Sequence, residues 1–510
     1  MGVTAPAAFL YVSYMTMEEN INIQEPQRAP WWQYALIALA LIIVMFLLSV
    51  IRTRDGEPMR QTQSDLSYIY EGDLQVKLHL LQQFAEERGV QNAASQPGEQ
   101  PIKQAKNLYQ QAAKRPNPSA IRRAGVLTYE LKGKNAVQIL SRLDDPQVLN
   151  GLPERDQEEL RAEARMWQDI YAGEVTPEEV EAYRERIERL SMGPVRAFAL
   201  EHLYQSVGRE QEANEVLRSA GVNAAISIIG LGLLFLGLFA AGILGIVFLI
   251  LFFNNKNRWL GTTEPKIETG AAGRETLPSS LLFQGFIVYI SVILLLTLIA
   301  GITAAPILEN LPAENRLLYV VLLQLSLSVI SGMFGLGVLY LLARSVGKDL
   351  RAIGLTSREL GRNILWGAAG YCALLPLLLI AGLIANLISR SIETPAHPLI
   401  PMLMKADAAV FLLLLVTGVL LAPFFEEIFF RGVLYNALRT RFKFWAAVII
   451  SGAAFAIVHP QLPAGFIAIL VIGALFAVLF EIRGSLVPSM VAHALNNGMI
   501  FLMMYLIFMI

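Results

Sequence analysis

APFFEEIFFRGVLYNALR, residues 422–439, is a hydrophobic stretch broken by adjacent glutamates, Glu426 and Glu427, and by Arg431. An ionisable side chain at bilayer depth costs about 2.5–3.5 kcal/mol on insertion scales. Such residues either line a cavity and do chemistry or pair to hold a bundle together. Two later apolar segments each carry a histidine: FAIVH ends at His459 and HALNN begins at His493. A glutamate pair with two intramembrane histidines has the make-up of an active site.

The rest of the chain supplies the membrane setting. Of 510 residues, 55% are hydrophobic, and the mean hydropathy is +0.49, values of a polytopic membrane protein. The formal net charge of −1 offers no general attraction to nucleic acid or acidic lipid. Cys372, the single cysteine, lies in an apolar run and reads as a small buried hydrophobe. An intramolecular disulfide and cysteine-rich metal sites are thereby excluded.

Three parts follow along the chain, all of them predicted helical. Residues 1–51 hold a first span, about Tyr34–Ile51, with Trp31 and Trp32 at interface depth. Residues 52–223 carry about 50 of the chain's 41 basic and 42 acidic side chains and read as an inserted soluble helical domain. Within it, RAGVLTYELKGKNAVQILSRL from Arg123 and RAFALEHLYQSVGREQEANEVLRSA from Arg196 share a loose pattern. Each has Ala and Leu on one face, then an aromatic, then Gly133 or Gly208, then a second helix, which resembles a degenerate tetratricopeptide hairpin. Residues 224–510 form a multi-span membrane domain. Apolar runs fall near Ala224–Phe253, Leu281–Pro306, Leu317–Leu342, Ile364–Ser389, Ala408–Tyr435, Trp445–His459, Phe466–Ile482 and Leu486–Ile510. Each approaches the length that crosses roughly 30 Å of hydrocarbon, so the expected count is about nine spans.

Lys and Arg crowd the loop 344–362, the loop 439–443 and the turn at Arg483, which should therefore be cytoplasmic. Alternation then places 309–316, 390–407 and the soluble domain outside. Arg52 and Arg54 pull the other way, so the side of the soluble domain stays open at this point.

The polar residues of the last helices converge. Glu426 lies about 17 residues before the turn at Lys443 and His459 about 16 after it, roughly 25 Å along each antiparallel helix. His493 and Asn497 sit roughly 15–21 Å beyond Arg483. His493 and Asn497 are i,i+4, as are Phe455 and His459. Glu427 and Arg431 are i,i+4 with the acid first, the better order for an ion pair. Glu426 projects about 100° away from Glu427, so Arg431 is expected to neutralise Glu427 while Glu426 faces a cavity. Desolvated there, a carboxylate is suited to take a proton from water, and a histidine can share that water. A second histidine and an asparagine amide offer donors to an oxyanion. This is equipment for acyl hydrolysis without a covalent nucleophile.

EEIFFR, FAIVH and HALNN together resemble the Glu-Glu-x-x-x-Arg, Phe-x-x-x-His and His-x-x-x-Asn motifs of the CPBP family, the CAAX proteases and bacteriocin-processing (Abi) proteins. The resemblance covers about residues 408–505, and Pro423, Gly432 and RGSLVPSMVAHALNN also look like the family. It implies an intramembrane endopeptidase in which Glu426 and His459 activate water and His493 with Asn497 forms the oxyanion hole. Glu427 and Arg431 would shape the site, with Phe455 packed against it. The resemblance favours a metal-free reaction with no cofactor. The alternative is zinc held by Glu426, His459 and His493, although no His-Glu-x-x-His helix is present. The implied substrate is a membrane-embedded or lipidated peptide or protein. The hairpins of the helical domain suggest a surface for a protein partner, and the sequence, with no sorting signal for a eukaryotic organelle, is expected in a bacterial inner membrane.

Other classes weigh less. A catalytically silent scaffold, or a protein assisting immunity or secretion, would use the same bundle without the chemistry. A transporter also buries midplane charge, but no inverted repeat is visible. Glu481 and Arg483 read as interface anchors, and His397 as a loop residue. Gly230, Gly232, Gly237, Gly242 and Gly245 are expected to ease helix packing.

Overall fold

The computed structural model describes residues 63–89, 99–261, 264, 275–389, 399–459 and 465–509. The expected first span and His397 lie outside them. The described residues are helical, with no strand among them.

The polar region opens with α1 (Gln63–Glu87), α2 (Gln100–Ala112), α3 (Pro118–Glu130) and α4 (Ala136–Ser141), followed by α5 (Glu154–Ala172), α6 (Val180–Arg189) and α7 (Arg196–Ser206). Asn117 starts α3 by accepting from the backbone N–H groups of Ser119 and Ala120, with Pro118 at the position where a missing N–H costs nothing. The core is built on buried Ile69, Tyr109, Trp167 and Phe198. Inside it, Asp73 accepts from Tyr109 Oη at 2.6 Å and Arg123 Nε at 2.9 Å, tying α1, α2 and α3 together. Both stretches with the shared pattern form helix pairs, α3 with α4 and α7 with the start of α8 (Glu210–Leu260). Their second arms differ, 6 residues against 51.

Helix α8 spans roughly 75 Å, so one element begins among the charged helices and ends across the hydrocarbon. The remaining elements are α9 (Ser279–Asn310), α10 (Ala313–Ser345), α11 (Leu360–Ser389), α12 (Ala408–Arg439), α13 (Phe444–Ile457), α14 (Phe466–Arg483) and α15 (Val487–Phe508). Among the described residues seven helices are long and apolar enough to cross a membrane, which makes this an integral membrane protein. Every expected run after residue 224 falls on one of these helices except Trp445–His459. Its helix, α13, has only 14 residues, about 21 Å, and stops partway across.

Helix α11 packs against α8, α14 and α15, while α9 and α10 flank α12. Gly245 lets α8 reach the Cys372 carbonyl of α11, and Gly230 meets Leu506. Among the described residues, nothing lies within 4 Å of where a Cβ on Gly232, Gly237 or Gly242 would be. On α10, Gly332 and Gly335 receive the Phe425 and Phe429 rings of α12. Phe429 also stacks on Tyr289 of α9, with centroids 3.6 Å apart.

The interface-anchor reading of Glu481 is also corrected. Glu481 is 1% exposed and accepts from Tyr435 Oη at 3.0 Å and Arg439 Nη2 at 3.2 Å. Hydropathy alone cannot see this, because the partner lies 42 residues away. Arg483 does sit at a helix end, bonded to Asn363 Oδ1 at 2.8 Å and to Glu359.

Candidate active site

Helix α12 is not uniformly α-helical. Thr417–Leu421 and Ile428–Tyr435 are π-helical, and the α-helical segment between them, Ala422–Glu427, carries both glutamates. Short π segments widen a helix and re-aim its side chains, and they recur at functional sites.

Glu427 is fully buried. Its Oε1 accepts from Arg431 Nη1 at 3.0 Å and from His493 Nδ1 at 2.9 Å. Arg431, likewise buried, also donates from Nη2 to the Gly473 carbonyl at 3.2 Å. Its guanidinium carbon lies 4.4 Å from the Phe455 centroid and 5.2 Å from that of Phe476. These aromatic faces attract the cation where water cannot reach it. The close approach of α14 to α13 that makes this possible depends on glycine: a Cβ on Gly473 would lie 2.9 Å from Gly452 Cα.

Glu426 is partly exposed, its side chain 26% accessible, yet its Oε2 is buried with no hydrogen-bond partner among the described residues. That oxygen lies 3.9 Å from His459 Nε2 and 3.9 Å from His493 Nε2. Each ring is held from its other nitrogen. His459 Nδ1 lies 2.7 Å from the Phe455 carbonyl, which only accepts, so that nitrogen carries hydrogen. His493 Nδ1 faces the Glu427 carboxylate in the same way. Both Nε2 atoms are thereby turned to one carboxylate oxygen. Phe455 packs 4.5 Å from His459 and 5.9 Å from His493, and Phe476 lies 5.1 Å from His493.

Asn497 joins the site from α15. Its Nδ2 donates to the Gly418 carbonyl at 2.8 Å, and its Oδ1 accepts from Asn496 Nδ2 at 3.3 Å. Six of the seven positions expected from the motifs meet side by side, and Asn497 lies one turn beyond His493 on α15. Sequence reasoning missed Phe476, Gly473 and Asn496. Only Asn496 left a signal, the doubled Asn of HALNN.

The 3.9 Å separations exceed the edge of roughly 3.3 Å that tetrahedral zinc ligands at about 2.0–2.1 Å would require. Among the described residues no group of three or more His, Cys, Asp or Glu is arranged to hold a metal ion.

A bundle of apolar helices thus encloses a buried Glu–Arg–His cluster in a polytopic membrane protein. The model of the Type II CAAX prenyl endopeptidase Rce1-like family matches residues 408–499, the stretch that carries all of these side chains. A Bacillus subtilis (strain 168) protein named "Putative membrane peptidase YdiL" is 30% identical over 179 residues, covering 34% of this chain and 70% of the relative. No solved structure matches the chain. The chain belongs to the CPBP family of CAAX-type intramembrane proteases.

Proposed function

We propose that this protein is an intramembrane endopeptidase that hydrolyses a membrane-embedded or lipidated peptide or protein with water activated by Glu426 and His459. The observation that carries the reading is the Glu426 oxygen facing two imidazole Nε2 atoms at 3.9 Å each. Polar groups at that separation are too far apart for a direct hydrogen bond and can share one water.

In this reading Glu426 takes a proton from the water while His459 Nε2 accepts its other hydrogen bond. The hydroxide attacks the scissile carbonyl carbon, and Glu426 returns the proton to the departing amine. The Asn497 amide and His493 Nε2 receive the oxyanion. His493 already donates from Nδ1 to Glu427, so donation from Nε2 requires the imidazolium, and the charges of Glu426, Glu427, Arg431 and His493 then sum to zero. Arg431 in turn holds Glu427 in place. No step calls for a metal.

Residues 224–510 then form the membrane domain, with the catalytic core at about 408–505. Residues 52–223 form a soluble unit of tetratricopeptide-like hairpins that holds a protein substrate or partner. The family context and the apolar helices support a bacterial inner membrane as the location.

Purified protein in detergent, assayed on a quenched fluorescent peptide, tests the chemistry. Glu426→Gln, His459→Ala and His493→Ala should each abolish cleavage while the protein stays folded, and chelators should leave the wild type active. Wild-type rates in any two of these variants would sink the assignment. Stoichiometric zinc, with activity lost on chelation, would overturn the metal-free mechanism alone.

A further inference from the structure

An asparagine can serve an oxyanion only if its amide presents N–H and not C=O to the substrate. The two ends of the amide are nearly isosteric, so something must fix which way it faces. Two contacts do so here. Gly418 O can only accept, so the Asn497 atom 2.8 Å from it is the NH2 nitrogen. Asn496 Nδ2, a donor, lies 3.3 Å from Asn497 at the opposite end, its Oδ1. One N–H of the Asn497 amide is used on Gly418, and the second remains for an oxyanion.

The local helix explains why the Gly418 carbonyl is available. In the π segment Thr417–Leu421, the Ala422 N–H bonds to Thr417 O, five residues back. The next bond in that series would run from residue 423 to Gly418 O. Residue 423 is proline, which has no N–H. The carbonyl is thereby freed within the hydrocarbon span, where an unsatisfied backbone group costs several kcal/mol. A side-chain donor from outside α12 is drawn to it. Gly418 also admits the partner helix, since a Cβ there would lie 2.7 Å from Phe501 Cε2 on α15.

We propose that Pro423, Gly418 and Asn496 act as positioning residues that lock the Asn497 amide with its nitrogen toward the substrate oxyanion. The inference rests on the reading of Asn497 as an oxyanion donor. Pro423 acts by removing a competing backbone donor, Gly418 by supplying the acceptor, and Asn496 by holding the carbonyl end away from the substrate.

The test uses the full-length protein and the same peptide assay, with kcat, KM and thermal unfolding measured for each variant. Pro423→Ala restores an N–H that competes for Gly418 O. It should lower kcat about 10-fold with KM unchanged, and should keep or raise the melting temperature because a helix bond is gained. Asn496→Ala should lower kcat similarly. Asn496→Asp should be worse still, because a carboxylate repels Oδ1. Asn497→Ala should lower kcat by about 10²–10³, the usual cost of an oxyanion donor. In the Asn497→Ala background neither Pro423→Ala nor Asn496→Ala should lower kcat further. Additive losses in the double variants, or wild-type kcat in both single variants beside an impaired Asn497→Ala, would overturn the positioning role and leave the oxyanion role standing. Wild-type kcat in Asn497→Ala would overturn both.

Discussion

Arg431 bears the largest burden of any single residue. Its guanidinium neutralises Glu427, reaches the Gly473 carbonyl and lies between two phenyl rings, with none of it exposed. Removing it leaves a buried carboxylate uncompensated, which typically costs about 3–5 kcal/mol. Arg431→Ala should therefore lower the melting temperature in detergent and abolish cleavage together. An unchanged melting temperature would mean that the pair contributes nothing to the bundle. The pairing of Glu427 with Arg431 was legible as i,i+4 spacing, because both ends lie on one helix. The aromatic sandwich was only half legible: Phe455 belongs to a motif, whereas Phe476 lies on a helix that is apolar throughout and offers no contrast from which to choose it.

At the scale of elements, the site depends on a helix too short to cross the membrane and on one that departs from α geometry. Helix α13 ends close to where its chemistry is needed, so His459 sits just beyond its last turn, with its ring fixed by the Phe455 carbonyl. Helix α14 returns alongside it at glycine contact. Gly473→Val should force these two backbones apart, because the blocking atoms are the Gly452 Cα and carbonyl and not a flexible side chain. Overpacking of this kind costs about 1–3 kcal/mol, and the shift would also pull the Gly473 carbonyl from Arg431. Loss of both stability and activity is expected, and a fully active, fully stable variant would show that the hairpin has slack. The turn from α14 into α15 is sharp. Gly484, at φ 59°, closes α14 with an N–H to Phe480 O, and α15 begins within three residues. An L-residue with a side chain is strained at that φ.

The whole molecule is joined by a few polar contacts between the charged helices and the membrane bundle. Lys77 of α1 is buried and donates to Ser227 Oγ on α8 at 2.7 Å and to the Leu506 carbonyl near the end of α15 at 3.0 Å. Asp156 pairs with Arg316 at 2.6 Å, and Ser191 Oγ donates to Met404 O at 3.0 Å. Burial pushes the Lys77 amine down from 10.5 to about 8. The packed state therefore binds fewer protons than the unpacked one between pH 8 and 10.5, and packing strengthens as pH rises through that window. Thermal unfolding of wild type and Lys77→Met should show this as a gain in stability with pH present only in the wild type. Equal slopes would remove Lys77 from the interface. These contacts put the charged helices on the side of residues 316 and 404, opposite the basic turns. The excess of Lys and Arg in those turns predicts that they are cytoplasmic and the charged helices outside. A cysteine placed at exposed Lys134, in a Cys372→Ala background, should react with a membrane-impermeant maleimide in intact cells. Labelling only after lysis would reverse the orientation.

The sequence by itself determined the class of architecture, the membrane helices after residue 224 other than the short α13, and the seven motif positions. It could do so because hydrophobic length and the rarity of intramembrane charge are local properties, readable without knowing what packs where. The pairing of Glu481 with Arg439, the choice of Phe476, and the hold of Asn496 and Gly418 on Asn497 were decided by tertiary structure alone. Each depends on atoms from different helices meeting within hydrogen-bond or van der Waals distance. The two π segments of α12 belong with these, since π and α geometry place the same apolar residues in register with different neighbours, and only the packed bundle selects between them.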